Sequence, residues 1–241
     1  MASNQSLLEL RHVYSGYGEI EVLKDVSIHV EAGQIISVLG ANGAGKSTLL
    51  KTIFGFVRPT QGQILFNDEE ISRESTLKIL RRGVSYVPEG RSNFPYMTVE
   101  ENLEMAAYIR SDRASIVAQI DRLCERFPIL KQKRHAETSS LSGGQQQMVE
   151  IAMALMLQPK VILIDEPTLG LAPVLVQEVF EIIKEINAKG TTVILVEQNA
   201  KRALEISDYA FVLELGVVRL HGLAADLAQN EDVINAYLGE R

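Results

Sequence analysis

Short, nearly continuous apolar runs recur along the chain and predict strands that are buried on both faces of a sheet. The clearest runs are 35–39, 161–164 and 193–196. Runs of this length are typical of parallel sheets, whose two faces are both covered. Helical patterns separate the runs, and one of them has an apolar face made of Val176, Val179, Phe180 and Ile183. The pattern therefore predicts an α/β core.

The two ends of the chain carry other strand signals. Apolar and polar residues alternate over 26–30, which is typical of a strand with one solvent-facing side. Toward the C-terminus the pattern predicts strands at 209–214 and 217–221 with Gly216 in the turn between them. A last short helix is predicted at 233–238.

The middle of the chain is different. From about residue 99 to residue 157 the pattern is helical and almost free of strand signals. A helical stretch between two α/β stretches predicts a lobe inserted into the core. We therefore describe a single domain, 1–241, with a core of 1–88 and 158–241 and an inserted helical lobe of 89–157.

Composition and charge exclude several classes of protein. The 241 residues are 46% hydrophobic and 23% charged, which is ordinary for a globular protein. No apolar run approaches a membrane span, and the first residues lack the features of a signal peptide. The single cysteine, Cys124, cannot form an internal disulfide, which fits a reducing compartment. A net charge of -7 argues against general nucleic-acid binding, so an anionic ligand would have to be held by local geometry.

The stretch GANGAGKS, residues 40–47, follows an apolar strand and precedes a helical pattern at 48–54. This is the G-x-x-x-x-G-K-[ST] arrangement of a phosphate-binding loop. Its glycines allow backbone N–H groups to surround phosphate oxygens, and the N-terminus of the next helix favours negative charge. Lys46 is expected to reach the β- and γ-phosphates of a nucleotide, and the Ser47 hydroxyl is expected to bind Mg²⁺.

Two acidic residues, Asp165 and Glu166, follow the apolar run that starts at residue 161. Ligands of parallel sheets bind beyond the carboxyl ends of the strands. Asp165 is therefore expected in the Mg²⁺ shell, and Glu166 is expected to polarise the water that attacks the γ-phosphate. A solvated acidic turn is the alternative, and the phosphate loop in the same chain favours the catalytic role.

The stretch LSGGQ, residues 141–145, contains no metal ligand and no nucleophile with a partner. It precedes a helical pattern whose expected apolar face carries Met148, Ile151, Ala152 and Leu155. Ser142 and two glycines at a helix start offer a hydroxyl, backbone N–H groups and a helix dipole, which together suit an anion. Taken alone, however, the stretch is more typical of a plain helix cap.

The phosphate loop, the LSGGQ stretch and the acid pair, in this order, resemble the ATP-binding subunits of ABC transporters over essentially the whole chain. Within that family the chain resembles the second, shorter ATPase of branched-chain amino acid importers. The stretches GANGAGK, VPEGR, LGLAP and VEQN, at 40–46, 87–91, 169–173 and 196–199, carry this closer resemblance. The resemblance implies a P-loop NTPase core with a mostly parallel sheet, an N-terminal antiparallel β-subdomain and an inserted helical subdomain.

The resemblance also implies ATP and Mg²⁺ as cofactors and ATP hydrolysis as the reaction. It places Tyr17 on the adenine ring, and it closes LSGGQ on the γ-phosphate of an ATP held by a partner subunit. The implied nucleotide-binding residues are Tyr17, Gly40, Asn42, Gly43, Ala44, Gly45, Lys46, Ser47, Thr48, Ser142, Gly143, Gly144 and Gln145. The implied metal residues are Ser47, Asp165 and Glu89, and the implied catalytic residues are Glu166, Lys46, Gln198 and Glu89.

An assembly is implied as well. Two ATPase subunits would bind two ATP molecules head to tail, the partner being a longer sister ATPase or a second copy of this chain. Two transmembrane permease subunits would dock near Glu89, with Arg91, Phe94 and Tyr96 as candidate contacts. A periplasmic or extracellular solute-binding protein would take part indirectly. The chain would lie at the cytoplasmic face of the plasma membrane, would bind no nucleic acid, and would serve the import of leucine, isoleucine and valine.

Three positions depart from the pattern of the wider family. Glu89 stands where Gln is usual, Ala172 where Asp is usual and Gln198 where His is usual. All three departures resemble the branched-chain subfamily. The four histidines, His12, His29, His135 and His221, match no functional position.

These departures leave alternatives open. In one, the chain binds ATP and supplies the LSGGQ surface while a companion does most of the hydrolysis, although the intact Glu166 counts against it. A soluble ABC ATPase of DNA repair or translation is disfavoured because there is no long coiled-coil insertion, only one cassette, and an acidic charge. An ATPase for lipid or lipopolysaccharide export would share the fold but usually keeps His at the switch position. Other amino acids, amides or urea are alternative solutes.

The missing histidine at position 198 predicts a simple pH profile. ATP hydrolysis is expected to show no activity limb from an active-site imidazole, whose free pKa is about 6.5. The measurement is turnover against pH for the wild type and for Gln198→Asn. A limb near that pH that disappears in the variant would contradict the role of Gln198.

Overall fold

The computed structural model describes residues 6–238, and two sheets organise them. The first sheet is antiparallel, with the strand order β2-β1-β4-β5. Its strands are β1 (Ser6–Tyr17), β2 (Ile20–Glu31), β4 (Pro59–Phe66) and β5 (Glu69–Glu70). This is the N-terminal antiparallel β-subdomain that the resemblance implies.

The second sheet has six strands in the order β10-β9-β3-β8-β7-β6. They are β3 (Ile35–Leu39), β6 (Val84–Val87), β7 (Val161–Asp165), β8 (Thr192–Val196), β9 (Tyr209–Glu214) and β10 (Val217–Leu223). All neighbours pair parallel except β9 and β10, which form an antiparallel hairpin. The predicted mostly parallel sheet is therefore confirmed, together with its three apolar runs.

The central strands β3, β7 and β8 are buried on both faces, which explains why they have no polar alternation. On β7, Ile162 and Ile164 pack into the hydrophobic core on the helical side. Val161 and Leu163 pack into a second core, which also contains residues of the antiparallel sheet. Neighbouring residues of β7 thus enter different cores, so positions 161–164 are all apolar.

Ten α-helices accompany the sheets within residues 6–238. They are α1 (Lys46–Ile53), α2 (Thr76–Arg82), α3 (Val99–Ala106), α4 (Arg113–Arg126), α5 (Pro128–Gln132), α6 (Gly143–Leu155), α7 (Pro173–Ala188), α8 (Ala200–Ile206), α9 (Ala224–Leu227) and α10 (Glu231–Val233). Within residues 6–238, none is long and apolar enough to cross a bilayer.

The stretch predicted to be a helical lobe contains α3 to α6. Side-chain caps start α3 and α4: Thr98 and Glu101 form a capping box before α3, and the Asp112 side chain accepts a hydrogen bond from Ser115 N before α4. The lobe has no core of its own, because its residues belong to the same hydrophobic cluster as one face of the large sheet. The boundaries of the lobe at residues 89 and 157 stay a prediction.

Two local expectations were right in kind and wrong in detail, since the last helix is present and Ile151, Ala152 and Leu155 of the expected α6 stripe are buried. The predicted last helix begins earlier than residue 233, as α10, and continues as a π-helical turn over Ile234–Leu238. Asn230 caps this start through hydrogen bonds from Asp232 N and Val233 N. On α6, Met148 is only half-buried, and Val149 faces the core beside Ile151. The buried face is wider than the predicted stripe because α6 packs against α3, α7 and β6 together.

The turn between β9 and β10 fixes the antiparallel sheet to the phosphate loop. Leu215 and Gly216 both have positive φ, 49° and 85°, as a tight two-residue hairpin requires. The Gly216 carbonyl accepts a hydrogen bond from Lys24 N at 2.8 Å, and Gly216 N donates to Ala44 O at 3.0 Å. A Cβ atom on Gly216 would lie 1.9 Å from the Val22 carbonyl oxygen, so only glycine fits.

Gly216→Ala is therefore expected to destabilise the protein more than Gly190→Ala. Both glycines have positive φ, but a Cβ atom on Gly190 would meet nothing within 4 Å. The conformational cost alone is about 1–2 kcal/mol, and the backbone clash at Gly216 should add about 1–3 kcal/mol. Urea unfolding midpoints of the two variants measure the difference. Equal midpoints would show that the contact with β2 can relax.

Candidate functional site

The phosphate loop connects β3 to α1 and takes a conformation that needs glycine. Gly43 and Gly45 have φ values of 80° and 105°, where other side chains are strained. A Cβ atom on Gly45 would also lie 3.0 Å from the Leu23 side chain. Gly45 precedes α1 and gives it no side-chain cap. The first N–H groups of the helix are thus left for an anion.

Lys46 is nearly fully buried, and its ammonium group is held beside the loop. Nζ donates hydrogen bonds to the carbonyl oxygens of Gly40 at 2.9 Å and Ala41 at 3.2 Å. The Glu166 Oε1 atom lies 3.6 Å from Nζ. These contacts place the cation and the second acid of the pair side by side before any phosphate is bound.

Asp165 lies at the end of β7, where two hydroxyl groups hold its buried carboxylate. Ser47 Oγ donates to Oδ1 at 3.0 Å, and the Tyr86 hydroxyl donates to Oδ2 at 3.0 Å. Burial raises the pKa of Asp165, and the two hydrogen bonds oppose this shift. Burial and the nearby Asp165 charge raise the pKa of Tyr86, so its hydroxyl remains a donor.

Ser47 and Asp165 offer the hard oxygen donors that Mg²⁺ takes. Proteins usually hold this ion with one or two carboxylates and complete its shell with substrate phosphates and water. Among residues 6–238, no cluster of three or more His, Cys, Asp or Glu side chains forms a metal site on its own. The residues present therefore fit an Mg²⁺ ion that arrives with a nucleotide.

A cavity of about 450 Å³ lies at the carboxyl ends of the parallel strands. It is lined by Val22, Asn42, Gly43, Gly45, Lys46, Ser47, Thr48, Glu89, Glu166, Leu169 and Gln198. Glu166 has a φ of 46° and donates its backbone N–H to Val196 O at 2.9 Å. The segments that follow β3, β6, β7 and β8 thus bring nine predicted site residues to one space.

Other predicted residues lie around this cavity rather than in its wall. Asp165 lies behind Ser47, Gly40 supplies a carbonyl to Lys46, and Ala44 supplies a carbonyl to the Gly216 turn. Tyr17 is half exposed, and its hydroxyl is 3.5 Å from Thr48 Oγ1. Its ring is accessible next to the loop, but its contact with adenine stays a prediction.

The LSGGQ stretch, residues 141–145, forms the start of α6, and none of these residues lines the cavity. Ser142 and Gln145 make a capping box: Ser142 N donates to Gln145 Oε1 at 3.1 Å, and Gln145 N donates to Ser142 Oγ at 3.4 Å. Ser142 and Gly143 are exposed, whereas Gly144 is buried against Leu175 of α7. The plain helix cap is therefore present, and it is presented at the surface.

The segment after β6 carries Glu89 and the candidate docking residues. Arg91, Phe94 and Tyr96 are all exposed, Tyr96 to 86%. The buried Glu150 of α6 holds this segment, because its Oε1 atom accepts hydrogen bonds from Ser92 N at 2.7 Å and Asn93 N at 3.2 Å. Burial raises the pKa of Glu150 despite these donors.

Sequence reasoning missed two side chains beside the site. Tyr86 holds Asp165, and the buried Glu197 accepts hydrogen bonds from Thr168 in the loop after β7. Glu197 had a detectable signal, since it ends an apolar strand just as Asp165 does. Tyr86 had none, because a tyrosine in a strand is ordinary.

Two of the three residues that depart from the family pattern line the cavity, and the histidines do not. Glu89 and Gln198 both line the cavity. Ala172 precedes α7 and gives that helix no side-chain cap. None of the four histidines lines the cavity; His12 contacts Asp25, His135 contacts Glu100, and His221 contacts Tyr209.

Comparison with known proteins gives a consistent picture. The sequence profile of the ABC transporter family matches residues 23–169. The high-affinity branched-chain amino acid transport ATP-binding protein BraG of Pseudomonas aeruginosa is 45% identical over 97% of this chain and 100% of its own length.

Solved structures share the whole architecture. The ADP conformation of an ATP-binding cassette of an ABC transporter superimposes with a TM-score of 0.85 at 28% identity, over 98% of this chain and 99% of that one. A dimeric ATP-binding cassette in a post-hydrolysis state, bound to ADP and Pi, has a TM-score of 0.79 at 25% identity, over 90% of this chain and 98% of that one.

The buried Glu150 predicts a pH-dependent stability. Its pKa in the folded protein lies above the unfolded value of about 4.3. Its contribution to stability is therefore fully present below that pH and is lost as the pH rises through the raised pKa. Urea unfolding of the wild type and Glu150→Gln should give a free-energy difference, wild type minus variant, that falls as the pH rises above the unfolded value and through the raised pKa.

The exposed Glu178 of α7 supplies the matched control. Glu178→Gln should leave the same difference nearly constant over this range. A difference for Glu150→Gln that stays constant or rises with pH would contradict the assignment.

Proposed function

This chain belongs to the family of ABC transporter ATPases, and we propose that within it the chain is the ATP-hydrolysing subunit of an importer for branched-chain amino acids. The observation that carries the proposal is the convergence of Lys46, Glu166 and Gln198 on one cavity. The 45% identity to a branched-chain amino acid transport ATP-binding protein over its full length supports the choice of solute.

In this proposal the phosphate loop binds the phosphates of ATP. The uncapped start of α1 and the glycine conformations provide N–H groups, and Lys46 provides a positive charge. Ser47 and Asp165 would hold Mg²⁺, which neutralises phosphate charge when bound. The exposed ring of Tyr17 next to Thr48 would stack on adenine.

Glu166 is the general base in this proposal. It lines the cavity and is already beside Lys46, so a water between its carboxylate and the γ-phosphate could lose a proton to it. Gln198 and Glu89 line the same cavity from the loops after β8 and β6. Gln198 would donate a hydrogen bond from its amide to the γ-phosphate, and Glu89 would contact the Mg²⁺ shell or the attacking water.

A second subunit would complete each nucleotide site. Ser142 and Gly143 are exposed at the start of α6, away from the wall of their own cavity. The likeness to a dimeric cassette with ADP and Pi supports a head-to-tail pair in which this surface meets the partner's ATP. The partner is a sister ATPase or a second copy of this chain.

The permease subunits would dock on the segment that follows β6. This segment begins at Glu89 in the cavity wall and exposes Arg91, Phe94 and Tyr96 a few residues later. Aromatic and arginine side chains are typical anchors of protein interfaces. The chain would thus sit at the cytoplasmic face of the plasma membrane, with a solute-binding protein acting on the other side.

The first arm of the test uses Glu166→Gln, which keeps the shape of the side chain and removes the base. Turnover should fall at least about 100-fold. Light scattering of this variant should show an ATP-dependent dimer, because the ATP is no longer consumed. Ser142→Arg in the same protein should abolish the dimer, and Ser111→Arg, at an exposed position between α3 and α4, should not. A monomer in every condition would exclude the pairing of two copies, and added sister subunit would then be the partner to test.

The second arm tests the solute. Cells whose own copy carries Glu166→Gln should lose uptake of radiolabelled leucine, isoleucine and valine and keep uptake of an unrelated sugar. Normal leucine uptake together with a loss of urea or amide uptake would overturn the solute while leaving the ATPase assignment intact.

A further inference from the structure

Glu197 is a buried carboxylate, 2% exposed, that the proposed chemistry does not use. It directly follows β8. Its Oε1 atom accepts hydrogen bonds from the Thr168 hydroxyl at 2.6 Å and from Thr168 N at 3.2 Å. Its Oε2 atom accepts one from Asn199 N at 3.2 Å. Both oxygens of one side chain are thus engaged with two different loops.

These two loops carry the proposed chemistry. Thr168 lies two residues after Glu166, and Asn199 directly follows Gln198. Glu166 and Gln198 both line the ATP cavity, whereas Glu197 does not. A neighbouring cavity of about 310 Å³ is lined by Glu166, Thr168, Glu197 and Gln198 together with the residues around them. Glu197 therefore lies behind the two reactive side chains.

Burying the Glu197 carboxylate lowers the stability of the fold, so stability alone does not explain its presence. A buried carboxylate loses its hydration, and burial raises the pKa of Glu197 even though three hydrogen bonds oppose that shift. The charge strengthens the hydrogen bonds from the Thr168 hydroxyl and the two backbone N–H groups. A network in which every polar atom is satisfied fixes loop positions more narrowly than apolar contacts do.

We propose that Glu197 is a positioning residue for ATP hydrolysis, which holds the loop of Glu166 and the loop of Gln198 in one fixed relation. This inference rests on the catalytic roles of Glu166 and Gln198 in the proposed function. While Glu197 keeps its hydrogen bonds to Thr168 and Asn199, Glu166 and Gln198 are held around one attacking water and the γ-phosphate. Without these hydrogen bonds, each loop can shift by up to about 1 Å while ATP still binds.

The central variants break one contact at a time. Glu197→Gln replaces one carboxylate oxygen by an NH₂ donor, which must then face a donor on Thr168 or on Asn199. Thr168→Val removes only the hydroxyl and keeps the shape and the backbone N–H. Thr168→Ser keeps the hydroxyl. The measurements are kcat and the KM for ATP per folded molecule, with thermal unfolding as the check on folding.

Glu197→Gln and Thr168→Val are each expected to lower kcat about 10–100-fold, since displacements near 1 Å can cost this much. The KM for ATP should change less than about threefold, because residues 40–48 bind the nucleotide and the hydrogen bonds of Glu197 go to Thr168 and Asn199 instead. Thr168→Ser should restore kcat to within about threefold of the wild type. The double variant Glu197→Gln/Thr168→Val should be no slower than the slower single variant, because both changes remove the same hydrogen bond between Glu197 and Thr168.

Thr192→Val is the matched control. Thr192 is a buried threonine at the other end of β8, and its hydroxyl oxygen accepts a hydrogen bond from Gly33 N at 2.8 Å. This variant should lower the unfolding temperature and leave kcat per folded molecule unchanged.

A wild-type kcat for Glu197→Gln and Thr168→Val, with any effect limited to unfolding temperature, would overturn the inference. Glu166→Gln, measured in parallel, separates a failure of the proposed ATPase function from a failure of the positioning role of Glu197. If Glu166→Gln keeps its turnover, the proposed function fails. If Glu166→Gln is inactive while the Glu197 and Thr168 variants are normal, only the positioning role fails.

Discussion

The parallel pairing of β3, β8 and β7 is the constraint on which the site depends. Val196 of β8 is level with Val38 of β3 and with Asp165 of β7, so the chain leaves all three strands at the same edge of the sheet. These strands are buried on both faces, and a slip of one residue would exchange the two faces. The phosphate loop, Glu166 and Gln198 converge because the apolar side chains below them hold this register.

Three buried carboxylates then connect the loops above the sheet. Asp165 accepts hydrogen bonds from α1 and β6, Glu150 accepts them from the segment after β6, and Glu197 accepts them from the loops after β7 and β8. Burial raises the pKa of all three. Since unpaired buried charges are costly, each carboxylate favours the loop conformation that supplies its donors.

The helix α6 connects the exposed LSGGQ surface to the rest of the molecule. It starts after Ser142, carries Glu150 two turns later, and packs against α3, α7 and β6. Its buried residues belong to the hydrophobic core that also contains one face of the large sheet. A contact made at Ser142 is therefore linked through one continuous helix to the segment that carries Glu89 and the exposed aromatic residues.

The amino-acid sequence by itself determined the strands of the core, the helical middle, the phosphate loop and the acid pair. All of these depend on spacing within a few residues: the length of apolar runs, the position of glycines, and acids at strand ends. The partners of Tyr86 and Glu197 could not be assigned this way, because Asp165 and Thr168 lie 79 and 29 residues away along the chain. Met148 was wrongly expected on the buried face of α6 for a related reason, since the elements packed around that helix decide which of its sides is buried. Only the tertiary structure decided which loops touch, because strand order and long-range packing bring together side chains that no local pattern relates.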